Sequence, residues 1–129
     1  MKKEEIIKLL KKFPYDKNDY WVIMGGAMVL YGFREETSDI DLGCNKIMAD
    51  KLEEEGYLCE VENNGNRNFK IGSEIEVFEN WLYDGVSYVS DTPVITINGL
   101  IMMKELLGRE KDLKDIKLIK KALKKGARA

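Results

Sequence analysis

The sequence predicts an α+β fold, and three features of the chain indicate it. A β-α-β pattern comes first, with an apolar strand at 20–24, a short apolar helix at 27–31 and an alternating strand at 38–42. From residue 57 onward the apolar residues recur at every second position, which is typical of an antiparallel meander. A chain of 129 residues with 44% apolar content is expected to form one domain, spanning 1–129.

Apolar residues at helical spacing predict four more helices. Their predicted bounds are 3–13, 46–55, 99–107 and 112–125. Asn98 is expected to cap the helix at 99–107, because a short polar side chain there accepts an unpaired backbone N–H. In the last helix, the residues expected to face the core are Leu113, Ile116, either Ile119 or Lys120, and Leu123, with lysines on the remaining surface.

Alternating segments predict three further strands, at 57–62, 67–71 and 74–79. Asn64 and Gly65 are a turn signal that joins the first two as a hairpin. The region 83–94 contains Asp91 and Pro93, and it is predicted to be a polar connection. The sheet is therefore expected to mix parallel and antiparallel strands.

Composition excludes several kinds of chemistry. The chain has no histidine, which excludes a Ser-His-Asp triad and every zinc site that uses histidine. A formal net charge of −2 does not favour nucleic-acid binding through a generally basic surface. Cys44 and Cys59 form no CxxC motif and are expected to be reduced packing residues. The charged N-terminus is unlike a signal peptide, so we expect a cytoplasmic protein.

Two carboxylates are the strongest chemical signal. Asp39 and Asp41 are two residues apart in the predicted strand at 38–42, so their side chains share one face. Two such anions a few ångströms apart repel by roughly 4 kcal/mol at an effective dielectric near 20. The pair therefore needs a raised pKa or a cation between its members, and Mg²⁺ (or Mn²⁺) is suited to an oxygen-only site.

Two glycines end the predicted strand at 20–24, which precedes the strand that carries these carboxylates. Gly25 and Gly26 are adjacent, and such a pair lets the backbone turn tightly. A glycine turn at a helix N-terminus offers exposed N–H groups to a phosphate. We therefore expect Gly25 and Gly26 to bind the phosphates of a nucleotide beside the carboxylate pair.

The glycine pair, the short helix and the Asp-x-Asp strand resemble the signature of the nucleotidyltransferase superfamily related to DNA polymerase beta. The series Arg34, Thr37, Asp39, Ile40, Asp41, Leu42 is similar to the pattern of its small bacterial members, including the AbiEii-type toxins. This chain has one more residue between Arg34 and Thr37 than that pattern, so little is assigned to Arg34. The segment at 100–119 resembles the closing segment of the same small proteins.

The resemblance implies further site residues and a mixed sheet with helices packed on one side. In this superfamily a third acid comes from a strand with an apolar-acid-apolar pattern, and Glu76 fits that position. Glu74 and Glu79 remain alternatives for the third metal carboxylate. The resemblance of the closing segment implies that Lys104 and Arg109, with Lys111, lie near the triphosphate or the acceptor, and that Asp112 and Asp115 pair against these cations.

The function implied by the resemblance is the Mg²⁺- or Mn²⁺-dependent transfer of a nucleoside monophosphate from an NTP to an acceptor hydroxyl. The resemblance leaves open whether the acceptor is an RNA such as tRNA, a partner protein or a small molecule, and it implies the setting of a toxin and its cognate antitoxin. The alternative is a non-catalytic module that keeps the same fold and binds a nucleotide or a partner.

Overall fold

The computed structural model describes residues 1–126, which form one seven-stranded sheet and five helices. The helices are α1 (Lys3–Lys11), α2 (Met24–Leu30), α3 (Lys46–Glu54), α4 (Ile97–Leu107) and α5 (Glu110–Gly126). The strands are β1 (Tyr20–Ile23), β2 (Ile40–Cys44), β3 (Cys59–Val61), β4 (Arg67–Ile71), β5 (Ile75–Glu79), β6 (Val86–Val89) and β7 (Thr92–Ile95). The predicted α+β fold class is confirmed; the last three residues of the predicted domain lie outside the described part.

The sheet is mixed, as the sequence predicts. Its strand order is β3-β4-β5-β2-β1-β7-β6. The pairs β2 with β5 and β1 with β7 are parallel, and the other four neighbouring pairs are antiparallel. All four side chains of the central strand β1 are buried, so hydrophobic contacts surround this strand on both faces.

The two faces of the sheet have different roles. Val22 and Ile40 share one face, which α2 covers at such short distance that a Cβ on Gly26 would lie 2.8 Å from Val22 Cγ1. Since neighbouring residues of a strand point to opposite sides, Asp41 lies on the other face. Glu76 is the direct partner of Asp41 on the adjacent parallel strand and therefore shares that face. The fold thus brings two acidic side chains together on the sheet face that α2 does not cover.

The chain turns into α2 earlier than predicted. The structure places the end of β1 at Ile23 and the start of α2 at Met24, so Gly25 and Gly26 lie inside the helix. The prediction of a glycine turn was therefore wrong. The sharp change of direction falls on Met24 instead, whose φ is 53°, a backbone conformation that side chains other than glycine rarely adopt.

The region 83–94 is a β-hairpin, and the prediction of a polar connection was wrong. Strands β6 and β7 pair across a turn formed by Ser90 (φ 49°) and Asp91 (φ 64°). Two positive φ angles are typical of the tight hairpin turn, which usually carries asparagine or glycine. Pro93 lies within β7, a position that argues against a strand in sequence-based prediction.

The C-terminal helices also differ in detail from the prediction. Thr96, and not Asn98, caps α4, because its Oγ1 accepts a hydrogen bond of 3.1 Å from the Gly99 N–H. Leu113 and Leu123 are exposed, whereas Asp112 is buried and takes an inward position of α5. The pairing of Asp112 with cations, described below, outweighs the usual preference for an apolar residue at such a position.

The remaining expectations concern the environment of the chain. Cys44 is buried and Cys59 half-buried, and both are free thiols. Burial raises the pKa of the Cys44 thiol to about 12, which keeps it unreactive. Each helix between residues 1 and 126 is too short or too polar to cross a lipid bilayer.

Gly43 is a sensitive position of the sheet, because two tryptophans meet over it. A Cβ at this position would lie 2.0 Å from Trp21 Nε1 and 2.7 Å from the carbonyl oxygen of Trp81, between which a 2.7 Å hydrogen bond runs. We expect Gly43→Ala to lower the free energy of unfolding by about 1–3 kcal/mol, measured by urea denaturation. Gly126→Ala is the control, since a Cβ there meets open space. Equal stability of the two variants would contradict this packing.

Candidate active site

A polar cleft of about 260 Å³ lies where the start of α2, the segment before β2 and the start of α5 meet. Its lining contains both predicted aspartates and all of the predicted cations, together with residues that carry no prediction. It is formed by Met24, Gly25, Arg34, Thr37, Ser38, Asp39, Asp41, Lys104, Arg109, Lys111, Asp112 and Asp115. The cleft is therefore formed by segments that are distant in the sequence, because Asp41 and Lys104 are more than sixty residues apart.

Asp41 is the central acid of the cleft. It lies in β2 opposite Glu76 of β5, and Asp39 precedes β2 on an exposed bend. Burial and the negative charges of Asp39 and Glu76 raise the pKa of Asp41 to about 6, while the positive charges of Lys111 and Arg109 oppose that rise. The three predicted acids therefore interact electrostatically.

The third acid lies beside the cleft. Glu76 and Asp39 line a neighbouring depression of about 260 Å³, into which Glu74 and Lys70 also face. Glu79 lies on the opposite face of the sheet, where its carboxylate accepts hydrogen bonds of 3.0 Å and 2.7 Å from the guanidinium of Arg67. The geometry therefore excludes Glu79 as the third metal carboxylate and favours Glu76, with Glu74 as the remaining alternative.

The metal site stays a prediction. Between residues 1 and 126, no group of three or more acidic or cysteine side chains is arranged to hold a metal ion. The donor chemistry of Asp39, Asp41 and Glu76 fits a hard divalent cation, because all three supply carboxylate oxygens. Their mutual repulsion, visible in the raised pKa of Asp41, is the condition that a bound cation relieves.

Lys104 is buried in a network of ion pairs. Its side chain is 3% exposed, and its Nζ lies 2.9 Å from Asp115 Oδ2 and 3.7 Å from Asp112 Oδ1. Arg109 donates from Nε to Asp112 Oδ2 over 2.6 Å. The predicted pairing of both aspartates with these cations is therefore present in the structure. Because two aspartates already face Lys104, little of its charge is left for a phosphate.

The same contacts keep both aspartates ionised. Burial by itself would raise the pKa of Asp112, but hydrogen bonds from Arg109 and the nearby positive charges outweigh it and hold that pKa below its ordinary value. The pKa of Asp115 is lowered in the same way, with burial opposed by hydrogen bonds from Lys104 and Arg34. The network is therefore a set of charged groups and not of neutral hydrogen-bonding partners.

Arg34 is a cleft residue to which sequence reasoning gave little weight. Its Nη2 donates to both carboxylate oxygens of Asp115, over 2.8 Å and 2.9 Å. Its other terminal nitrogen, Nη1, would lie only 3.3 Å from a Cβ on Gly25. The signal was present in the Arg-x-x-Thr series, which lies in the irregular segment between α2 and β2.

The two predicted phosphate-binding glycines differ in position. Gly25 lines the cleft, and a Cβ there would meet Thr37 Oγ1 at 2.7 Å, so its missing side chain keeps this corner open. Gly26 is buried against Val22 and Ile40, on the covered face of the sheet. The structure thus brings Gly25 to the carboxylates and uses Gly26 for packing.

Comparison with known proteins places the fold. No protein-family model and no curated protein match the chain. Its structure is similar to the crystal structure of a "putative nucleotidyltransferase" from Thermotoga maritima, with a TM-score of 0.61 and 17% sequence identity over 97% of this chain and 96% of that chain. At this identity the likeness shows the fold. The chain therefore has a nucleotidyltransferase-like mixed α+β fold, and the narrower resemblance to AbiEii-type toxins stays a prediction.

Proposed function

We propose that the protein is a metal-dependent nucleotidyltransferase. It transfers the nucleoside monophosphate of an NTP to an acceptor hydroxyl and releases pyrophosphate. The observation that carries this proposal is the position of Asp41, between Glu76 on the adjacent strand and the basic residues of the cleft. A group of carboxylates next to cations is the arrangement that phosphoryl transfer requires, because charge must be held on both the nucleotide and the attacking group.

The charge of the cleft supports a role for a divalent cation. Four cationic and four acidic side chains line it, so their formal charges cancel. A triphosphate, which carries several negative charges, then needs additional positive charge in order to bind. Asp39, Asp41 and Glu76 are the residues that would hold Mg²⁺ or Mn²⁺. Bound there, the cation would neutralise the phosphates and lower the pKa of the acceptor hydroxyl.

In this proposal some residues of the cleft contact the phosphates, and others hold those residues in place. Arg34 and Arg109 contact the phosphates, since each has a guanidinium that is partly exposed to the cleft, with side-chain exposures of 38% and 46%. Lys104 and Asp115 hold Arg34 in place, because Asp115 is bonded to both. Lys104 is therefore a positioning residue, and the direct phosphate contact expected from the sequence passes to Arg34.

Glu76 is the residue that distinguishes the catalytic function from a nucleotide-binding function without catalysis. It lines the neighbouring depression and not the cleft that holds the arginines, so the nucleotide and the acceptor are proposed to approach Asp41 from different sides. This separation also favours the second candidate function, a nucleotide-binding module without catalysis, because the cleft contains Asp39 and Asp41 without the third acid.

A paired measurement of binding and transfer tests both functions. We expect each preferred NTP with Mg²⁺ to raise the melting temperature, because a ligand of the native state stabilises it. Transfer of label from that NTP to components of a total cell extract is expected in the wild type. Glu76→Gln is expected to lose about a hundredfold or more in transfer rate while it keeps the shift in melting temperature.

Glu54→Gln is the matched control, because Glu54 is an exposed acid of α3. It is expected to retain both transfer and binding. A shift in melting temperature with no transfer in the wild type would favour the binding module. Unchanged melting temperatures with all four NTPs, in Mg²⁺ and in Mn²⁺, would contradict both functions.

A further inference from the structure

A second cavity, of about 190 Å³, lies at the other end of the same sheet face. Aromatic and amide side chains form most of its wall, and we call it the amide pocket. Its members of interest are Asn64, Asn66, Asn80, Trp81 and Tyr83, and the end of α4 closes it on one side. No residue of the described lining carries a charge, which separates this cavity from the ionic cleft.

The amide pocket is continuous with the strands that carry the acids. Phe78 follows Glu76 by two residues in β5 and therefore points to the same face. The ring of Trp81 stacks on Phe78, with centroids 4.9 Å apart and an interplanar angle of 34°. Because a strand rises by about 3.3 Å per residue, Asn80 lies roughly 13 Å along the chain from Glu76.

The amides of the pocket have unused hydrogen-bonding capacity. Asn80 Nδ2 donates to Asn66 Oδ1 over 3.0 Å, and Asn64 Oδ1 accepts from the Asn66 N–H over 2.9 Å. Within residues 1–126 these contacts leave the Asn80 oxygen and the amide nitrogens of Asn64 and Asn66 without a hydrogen-bonding partner in the protein, and the exposed Asn64 and Asn80 face solvent. Donors and an acceptor are thus grouped beside an aromatic ring.

This combination matches one class of ligand. A nucleobase is a planar, uncharged ring that stacks on tryptophan and tyrosine and has both donors and acceptors on its edge. Asparagine amides pair with such edges through one donor and one acceptor. A charged or purely aliphatic ligand would leave either the neutral lining or the amides unmatched.

We propose that the amide pocket binds the nucleobase of the acceptor, so that the molecule receiving the nucleotide is a nucleoside or the end of an RNA. The inference rests on the proposed transfer function and deepens it. The base enters the amide pocket, and the sugar hydroxyl extends along β5 toward Glu76 and Asp41. The triphosphate of the donor occupies the cleft on the far side of Asp41, beside Arg34.

The test measures binding without metal, NTP or turnover, so it is independent of the transfer assay. The four nucleosides and trinucleotides ending in each base are titrated by calorimetry into the full chain. We expect saturable binding of at least one base, and the nucleoside and trinucleotide arms distinguish the two sources of that base. Binding is expected to be unaffected by ATP with Mg²⁺.

Asn80→Gly removes one amide without straining the backbone, because Asn80 has a φ of 63° that glycine adopts readily. We expect this variant, and Trp81→Leu, to bind the base about tenfold more weakly. Asn63→Ala is the control: Asn63 is exposed in the same hairpin turn, and its substitution should leave binding unchanged.

Four results would overturn the proposal. The first is that no base binds to a chain that does transfer nucleotide, and the second is that Asn80→Gly and Trp81→Leu bind the base as well as the wild type does. The third is competition between ATP and the nucleoside. The fourth is base binding by a chain that transfers nucleotide to no acceptor. The first three leave the proposed transfer function intact, and competition would assign the pocket to the base of the donor. The last removes the transfer function itself.

Discussion

Asp41→Asn is expected to reduce nucleotidyl transfer about a thousandfold or more. The substitution keeps the size of the side chain and removes the charge that lies between Glu76 and the basic residues of the cleft. Since catalysis of phosphoryl transfer depends on fixed charges at the reacting group, loss of this carboxylate removes its central member. The measurement is incorporation of label from each NTP in the presence of Mg²⁺.

Asp91→Asn is the matched control, because Asp91 is an exposed aspartate at the β6–β7 turn. Asparagine tolerates the positive φ of this position as well as aspartate does, so the control should fold normally. Full transfer by the control and none by Asp41→Asn would support the assignment. Equal incorporation by wild type and Asp41→Asn would exclude a catalytic role for this residue.

The same substitution is also expected to change how the free energy of unfolding depends on pH. Measuring this change shows at the same time whether the variant is folded. The pKa of Asp41 is about 6 in the folded chain and 3.8 as its ordinary value, so the folded state binds the proton more tightly. The contribution of Asp41 to the stability of the wild type therefore falls as the pH rises from 4 through 6. Asparagine lacks this titration, and we expect Asp41→Asn to be more stable by about 2 kcal/mol at pH 8 and equal at pH 4.

Asp112→Ala is expected to destabilise the fold more than any other single change considered above, by about 3–5 kcal/mol. Asp112 is 0% exposed and accepts hydrogen bonds from the backbone N–H and the guanidinium of Arg109, with Lys104 nearby. Its removal leaves the buried Lys104 with one carboxylate and also removes the capping contact at the start of α5. Since domains are stable by only about 5–15 kcal/mol, this is a large fraction.

Urea denaturation at pH 7 measures the effect, with Glu110→Ala as the control. Glu110 is an exposed acid in the same first turn of α5, and its 3.5 Å ion pair with Lys114 lies in solvent. Exposed pairs contribute about 0–1 kcal/mol, so the control should remain close to wild type. Similar small losses in both variants would show that the buried network does not stabilise the fold.

Local chemistry explains which elements were predictable from the sequence. The hairpin of β3 and β4 was predicted correctly, because Asn64 and Gly65 specify a tight turn wherever they occur between alternating segments. The hairpin of β6 and β7 was missed, because Ser90 and Asp91 make an equivalent turn without glycine. Strand β7 of this hairpin also pairs with β1, which lies more than sixty residues away in the chain.

The candidate site shows the same division. Asp39 and Asp41 were identifiable from a spacing of two residues, which places side chains on one face of the predicted strand. In the structure only Asp41 lies within β2, and Asp39 precedes it. Glu76 was one of three acids until the parallel pairing of β2 with β5 set it beside Asp41 and turned Glu79 toward Arg67. A shift of one residue in that register would reverse the assignment, and no local pattern specifies the register.

The sequence by itself determined the α+β class and the carboxylate pair, because periodicity and charge are properties of short stretches. Only the tertiary structure decided that Lys104 is buried between two aspartates, that Arg34 faces Gly25, and that an amide pocket shares a sheet face with the acids. These facts depend on contacts between distant segments. Burial and pairing set the effective charge of each group, and both arise only when the chain has folded.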